Sequence, residues 1–192
     1  DLVCYSATKF LNGHSDVIAG CVMGSKTAVS SVKTLRTFLG GMIAPYSAWL
    51  LTRSLETLSL RVDRHSNNAL KIAYQLEKQT NVNRVKYPFL KSHPQYNLAK
   101  KQMLKGGNII SFEVEGGVKA ARAFINSIKM CSISSNLGDS RTIITHPASS
   151  THSKLSLEDR LKIGITDNMI RLSVGLEHHE DIWNDIKNAL KI

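Results

Sequence analysis

The sequence is poor in cysteine and in aromatic residues. It contains 3 cysteines among 192 residues, and aromatic residues make up 6% of the chain. Cys4, Cys21 and Cys131 are odd in number and lack the paired spacing of a metal site. Two of them lie in apolar runs, where cysteine serves as a small core residue. This usage excludes a cysteine-based metal centre and indicates a reduced, cytoplasmic protein.

Long apolar runs, repeats and low-complexity segments are also absent. No run is long enough to span a bilayer, and no signal-peptide pattern stands at the start, so we expect no membrane partner. The first residue is Asp1, and the chain begins in mid-pattern, one residue before an apolar run. The length suffices for one or two small domains with a real core.

Acidic residues are scarce relative to basic ones. The chain has 15 Asp and Glu against 25 Lys and Arg, which gives a formal net charge of +10. Such a charge suits an anionic partner, either nucleic acid or a phosphorylated cofactor. The basic residues are scattered, however, and only Lys100, Lys101 and Lys105 cluster. Because no aromatic ladder accompanies them, we expect no nucleic-acid partner.

The hydrophobic pattern predicts two different parts. Two buried strands, at 2–5 and 17–23, flank a polar turn, and a polar, helix-poor connector follows at 25–45. The amphipathic stretch 46–78 lacks Gly and Pro, which predicts one long helix or two collinear helices. Helices and strands then alternate, with strands near 85–87, 108–115, 130–134 and 169–174. This order predicts a small α/β domain with a mostly antiparallel sheet covered by helices. The first two strands need partner strands that the chain does not contain.

The turn between the first two strands carries a lysine among hydroxyls. Residues 6–17 read Ser-Ala-Thr-Lys-Phe-Leu-Asn-Gly-His-Ser-Asp-Val. Burial lowers the pKa of a lysine, and such an amine forms Schiff bases with carbonyl compounds. Ser6 and Thr8 lie where they could donate to a phosphate. The alternative is that Lys9, like most lysines near strand ends, is a solvated surface residue.

The full string resembles the cofactor-lysine signature of the pyridoxal-phosphate enzymes of cysteine and methionine metabolism. That family includes cystathionine synthases and lyases, methionine gamma-lyase and the O-acylhomoserine sulfhydrylases. The resemblance implies that Lys9 holds pyridoxal 5'-phosphate through a Schiff base and then moves protons at the α and β carbons of the substrate. It also implies that Ser6 and Thr8 bind the cofactor phosphate.

A second polar constellation lies between residues 134 and 152. His146 and His152 fit no standard zinc spacing and lack a third ligand nearby, so we expect no metal. By resemblance, the strings Asn-Leu-Gly-Asp at 136–139 and His-Pro-Ala-Ser-Ser-Thr-His at 146–152 are loops that bind the substrate carboxylate, with Asn136 and Thr151 as candidate ligands. The lyases of the family usually carry Ser in place of Asn136. The chain therefore leans toward the O-acetyl- or O-succinylhomoserine sulfhydrylases.

Arg171 interrupts an otherwise apolar strand. It could be an outward-facing arginine of an alternating strand. However, residues 170–177, Ile-Arg-Leu-Ser-Val-Gly-Leu-Glu, resemble the carboxy-terminal signature of the same family, in which the arginine binds the α-carboxylate of the amino-acid substrate. The planar guanidinium suits that role, because it meets a carboxylate in two parallel hydrogen bonds.

The resemblance covers essentially the whole chain but only the carboxy-terminal half of a family member. It implies that residues 1–55 end a large cofactor-binding domain of fold type I and that residues 56–192 form the small domain of a homotetrameric enzyme. The implied reaction is γ-replacement on an O-acylhomoserine to give homocysteine or cystathionine in methionine biosynthesis. Elimination from cystathionine or methionine is the alternative.

Three expected features of the family are missing from the sequence. They are the aspartate that pairs with the pyridine nitrogen, the aromatic residue that stacks on the ring, and a Tyr-x-Arg segment that reaches the phosphate of a neighbouring subunit. We therefore expect either a piece of a longer chain or the product of a truncated gene. A truncated product would be an inactive fragment that serves only in packing.

Overall fold

A computed structural model describes residues 1–191, and the chain divides into two units. The first is Asp1–Leu60, and the second starts at Arg61. The first unit opens with β1 (Leu2–Ser6), which pairs antiparallel with β2 (Gly20–Gly24). In the described part of the chain this sheet has two strands, so β1 is exposed along its whole length. The predicted burial of these strands is therefore wrong, since β1 is exposed and β2, which the following helix contacts, is at most half-buried.

The connector after β2 is helical, which corrects the prediction of a helix-poor segment. Helix α1 (Lys26–Leu39) begins where the hydroxyl of Ser25 accepts a hydrogen bond from the Ala28 N–H at 3.3 Å. It ends at Gly40, whose φ of 73° lies in the left-handed region that glycine adopts readily. None of its residues is buried. Ser and Thr are weak helix formers, and α1 contains several of them, so its residues give little helical signal. The caps at Ser25 and Gly40 mark where the helix begins and ends.

The long amphipathic stretch forms two helices, α2 (Pro45–Leu55) and α3 (Leu58–Glu77). Pro45 occupies the first turn of α2, where its missing N–H costs no intrahelical hydrogen bond. Ala69, Ile72, Ala73 and Leu76 of α3 are completely buried. They recur at the three- and four-residue spacing that the sequence predicted, so this helix contributes one apolar face to the core of the second unit.

The second unit is built on one mixed sheet. Its strands are β3 (Val82–Lys86), β4 (Ile109–Val114), β5 (Ser132–Ile133), β6 (Ile143–Thr145) and β7 (Met169–Ser173). Its further helices are α4 (Tyr96–Gln102), α5 (Gly117–Ser127), α6 (Leu157–Lys162) and α7 (His179–Ala189), with a 3-10 turn at Pro147–Ser149. Within the described residues the strand order is β3-β4-β7-β6-β5, and only β5 and β6 run parallel. The predicted, mostly antiparallel sheet is confirmed, although β6 was not predicted.

The side chains of β4 and β7 alternate between the two faces of the sheet. Ile110 and Phe112 on β4 pair with Leu172 and Ile170 on β7, and all four side chains belong to the buried core with α3, α5 and α7. Successive side chains of a strand point to opposite faces. Arg171 therefore projects from the face opposite this core. No helix within residues 1–191 combines the length and the apolar character needed to cross a membrane.

Candidate active site

Lys9 lies in a tight turn that directly follows β1. Its N–H donates to the carbonyl of Ser6 at 3.2 Å, and its own carbonyl accepts from the Gly13 N–H at 2.7 Å. The Asn12 N–H closes the same turn on the carbonyl of Ala7 at 3.0 Å. Lys9 is half-buried. The turn thus fixes the backbone on both sides of the lysine.

The two hydroxyls predicted to bind phosphate belong to the same turn. Ser6 is the exposed last residue of β1. Thr8 is half-buried, and its hydroxyl accepts from the Ala19 N–H at 3.0 Å and donates weakly to the Ala19 carbonyl at 3.4 Å. The first bond holds the oxygen in place, and the second is long enough that the proton could turn to a better acceptor.

Arg171 lies in the middle of the second unit's sheet. It is level with Ser111 on β4 and with Thr145 on β6. Its Nη2 donates to the carbonyl oxygens of Ser135 and Asn136, each at 2.9 Å. Its Nε is buried and has no hydrogen-bond partner among residues 1–191. Burial lowers the pKa of this guanidinium, which remains a cation at neutral pH. A cation with an unsatisfied N–H donor is suited to bind an anionic ligand.

A buried serine holds the loop that contacts Arg171. The Ser173 hydroxyl accepts from the Gly138 N–H at 2.9 Å and from the Asn108 side-chain amide at 3.1 Å. Ser173 is completely buried, and it follows Arg171 by two positions on β7, so both side chains leave the same face of the strand. Ser173 therefore sets the position of the carbonyl oxygens that orient the guanidinium.

Two carboxylates fix the segment that follows this loop. The buried Asp139 accepts from the N–H of Arg141 at 2.8 Å and from its guanidinium at 3.2 Å. These contacts raise the pKa of Arg141, chiefly through the side-chain hydrogen bond. Glu177 accepts from the backbone and the hydroxyl of Thr142 at 2.6 and 2.8 Å. Gly175 lies so close that a Cβ there would approach the Thr142 nitrogen to 2.4 Å, which explains its need for glycine.

The two histidines of the string at 146–152 make hydrogen bonds to neighbouring protein groups. His146 is buried between the Ser149 hydroxyl at 2.8 Å and the Asp167 carbonyl at 2.7 Å. Thr151 is exposed, and its hydroxyl contacts the ring of His152 at 2.8 Å instead of Arg171. The described residues hold no group of three or more His, Cys, Asp or Glu side chains placed to bind a metal.

The structure thus gathers five of the six predicted residues into two groups, one in each unit, whereas Thr151 contacts His152 instead. Lys9, Ser6 and Thr8 share one turn of the first unit, and Arg171 contacts Asn136 in the second. Asn136 meets Arg171 through its backbone carbonyl. Sequence reasoning missed Ser173, although its position two residues after Arg171 in an alternating strand was the available signal.

Comparison with known proteins identifies the family. A model of the Cys/Met metabolism PLP-dependent enzymes matches residues 1–191. The chain therefore belongs to this family, and the resemblance found in its motifs is confirmed.

Two curated relatives are similar to this chain along almost its whole length. L-methionine gamma-lyase of Treponema denticola is 47% identical over 192 residues, which are 99% of this chain and 48% of that protein. Cystathionine gamma-synthase 1 of Arabidopsis thaliana, a chloroplastic protein, is 42% identical over 100% of this chain and 34% of its own length. The chain thus spans about half the length, or less, of these curated relatives.

A solved structure confirms the predicted fold. The cystathionine gamma synthase of Xanthomonas oryzae pv. oryzae, in complex with aminoacrylate and cysteine, superposes with a TM-score of 0.95 at 38% identity. The match covers 100% of this chain and 50% of that one.

The residues of the lysine turn match two chemical requirements of pyridoxal phosphate. The cofactor needs an amine for its aldehyde and donors for its phosphate. Lys9 would provide the amine, and the hydroxyls of Ser6 and Thr8, which lie within three residues of it, would be the donors, with that of Thr8 held by the Ala19 N–H.

We expect Ser173→Ala to destabilise the second unit by about 1–3 kcal/mol, the cost of leaving a buried donor unsatisfied. The Gly138 N–H would lose its acceptor, and alanine brings no replacement. Urea unfolding of the native protein measures the change. Ser153→Ala is the matched control, because it removes an exposed hydroxyl that bonds only its own turn, and it should stay within about 0.5 kcal/mol. Equal effects of the two variants would contradict the role given to Ser173.

Proposed function

We propose that this chain is the carboxy-terminal part of a pyridoxal-phosphate enzyme of sulfur amino-acid metabolism that acts at the γ carbon of its substrate. The observation that carries the proposal is the lysine turn, in which Lys9 and the hydroxyls of Ser6 and Thr8 meet in one short segment. The names of the relatives support the γ position, since one is a gamma-lyase and another a gamma-synthase.

The residues of the first unit would bind the cofactor. Lys9 would hold it and, once the substrate has taken its place, accept and return protons at the substrate's α and β carbons. Ser6 and Thr8 would donate to its phosphate, with Thr8 pre-oriented by the Ala19 N–H at 3.0 Å. The cofactor supplies an electron sink for carbanion chemistry when it is bound, whereas the protein supplies position and charge.

The residues of the second unit would bind the substrate carboxylate. Arg171 combines a positive charge with a buried Nε that has no partner within residues 1–191. The two carbonyl oxygens at 2.9 Å hold the guanidinium plane, so little side-chain entropy remains to be lost on binding. Asn136 and Thr151 complete the proposed set of ligands. Thr151 would have to give up its contact with His152.

The favoured reaction is γ-replacement on an O-acetyl- or O-succinylhomoserine. A sulfur nucleophile forms a bond to the γ carbon, and the acyloxy group leaves as a carboxylate. The Asn-Leu-Gly-Asp string at 136–139 motivates this choice. Elimination is a second candidate, because the gamma-lyase of Treponema denticola is 47% identical to this chain. An inactive fragment is a third.

We also propose a domain division and an assembly for the native enzyme. Residues 1–55 would end a large cofactor-binding domain, and residues 56–192 would form the small domain. The exposure of β1 supports this division, since a two-stranded sheet is marginal by itself and calls for further strands. The native enzyme would be a cytoplasmic tetramer built from dimers, with an amino-acid substrate and no nucleic-acid or membrane partner.

The reaction type is tested by ranking substrates on the native protein. Given O-acetylhomoserine or O-succinylhomoserine with sulfide, it should form homocysteine faster than it cleaves cystathionine or methionine. Lys9→Ala is the blank for uncatalysed turnover. Faster cleavage than replacement would establish the second candidate. Turnover equal to the blank with every substrate would favour the inactive fragment.

We expect Arg171→Lys to lower kcat/KM about tenfold or more, or ~1.5–3 kcal/mol, the range for hydrogen bonds to charged groups. An ammonium ion is a point charge, so it cannot keep both carbonyl contacts and also bind a carboxylate with a planar fork. Arg122→Lys is the matched control, because Arg122 is exposed on α5. Steady-state kinetics compare the two variants. Unchanged kinetics in Arg171→Lys would leave the carboxylate without its assigned partner.

A further inference from the structure

Asn12 is a completely buried polar residue inside the lysine turn, and all of its polar groups are engaged. Its N–H donates to the Ala7 carbonyl at 3.0 Å, and its side-chain amide donates to the Asp16 carboxylate at 2.9 Å. Its side-chain oxygen accepts from the Ser54 hydroxyl on α2 at 3.5 Å. Its carbonyl meets His14 Nδ1 at 2.8 Å, and because a carbonyl only accepts, this nitrogen carries the proton.

The backbone around Asn12 is bent to make these contacts. Ser15 has a φ of 57°, and it is the one non-glycine residue with positive φ in the described part of the chain. A serine in the left-handed region is strained, and it stays there only where its surroundings hold it. Here the bend returns the chain so that Asp16, four residues on, accepts from the Asn12 amide. The strained conformation of Ser15 therefore allows the hydrogen bond between Asn12 and Asp16 to form.

These contacts bear directly on Lys9. Two backbone hydrogen bonds, Asn12 N–H to Ala7 and Gly13 N–H to Lys9, lie on either side of the Asn12 side chain and bracket the lysine. Both depend on where residue 12 is held. A displacement of about 1 Å in a reacting group can cost on the order of 10²-fold in rate.

We propose that Asn12 is a positioning residue for Lys9: the buried side-chain amide of Asn12, held chiefly by Asp16, fixes the turn that presents the lysine amine to the cofactor. The inference rests on the proposed function, because it requires Lys9 to be the cofactor lysine. It adds a role for the Asn-Gly-His-Ser-Asp segment, which the assignment of Lys9, Ser6 and Thr8 leaves without one.

The test uses the native protein, freed of cofactor and titrated with pyridoxal phosphate while the visible absorbance is followed. Asn12→Ala should raise the dissociation constant about tenfold, which corresponds to ~1.4 kcal/mol. It should also shift the midpoint of the absorbance change with pH. Asp16→Ala should weaken binding in the same direction, and its exposed position makes it safe for folding. Asp16→Asn should restore most of the affinity, since an amide oxygen still accepts from Asn12.

Thr52→Ala is the control, because it removes a hydroxyl contact on α2 that lies apart from Asn12 and should leave the dissociation constant within about twofold. Urea unfolding is measured on every variant. A lower unfolding midpoint with an unaltered dissociation constant and pH midpoint in both alanine variants would overturn the inference and leave Asn12 a stability residue. Absence of pyridoxal-phosphate uptake by the unmodified protein would instead remove the proposed function itself.

Discussion

The second unit depends on burying one face of its sheet against three helices. Leu172 on β7 pairs with Ile110 on one side and with Ile144 on the other, and all three are completely buried. Since side chains alternate along a strand, this core leaves Arg171 and Ser173 no choice of direction. Both must leave the opposite face, where Ser135, Asn136 and Gly138 meet them. The same apolar burial that stabilises the unit therefore orients its cation.

The two groups of candidate residues, one in each unit, are held in the same way. In each, a buried polar side chain with fixed hydrogen bonds holds a backbone segment, and that segment holds the functional group. Asn12 does this for the turn of Lys9, and Ser173 does it for the loop that contacts Arg171. Buried polar groups are costly unless they are satisfied, so each position tolerates few substitutions. The candidate residues Lys9 and Arg171 are themselves half-buried, which leaves them able to reach a ligand.

Much of the fold could be predicted from the sequence, because its patterns are strong where burial is one-sided. The alternation of β4 and the apolar stripe of α3 were both predicted and are confirmed. Strand β6 was missed because three residues, Ile143–Thr145, cannot display a period in a polar surrounding. Helix α1 was missed because its definition comes from caps at Ser25 and Gly40 more than from an apolar face. The burial of β1 was wrong because hydrophobicity predicts that a strand will be covered, without saying by which part of the protein.

Some features of the candidate site could likewise be predicted from the sequence, and others could not. Lys9 could be chosen as the candidate cofactor lysine because a long string of unusual residue types surrounds it. The carbonyl oxygens of Ser135 and Asn136 could not, since a backbone atom leaves no trace in residue type. The choice between replacement and elimination is equally hidden, because it depends on small differences in how the substrate is held rather than on which chemical groups are present.

Borohydride reduction of the native protein tests most directly whether Lys9 binds pyridoxal phosphate. Reduction makes the bond between an amine and the cofactor permanent, and peptide mapping by mass then locates it. The cofactor mass should appear on the peptide that contains Lys9 and should be absent from Lys9→Ala. A label on Lys26 or Lys33, or a native protein that acquires no label, would contradict the assignment.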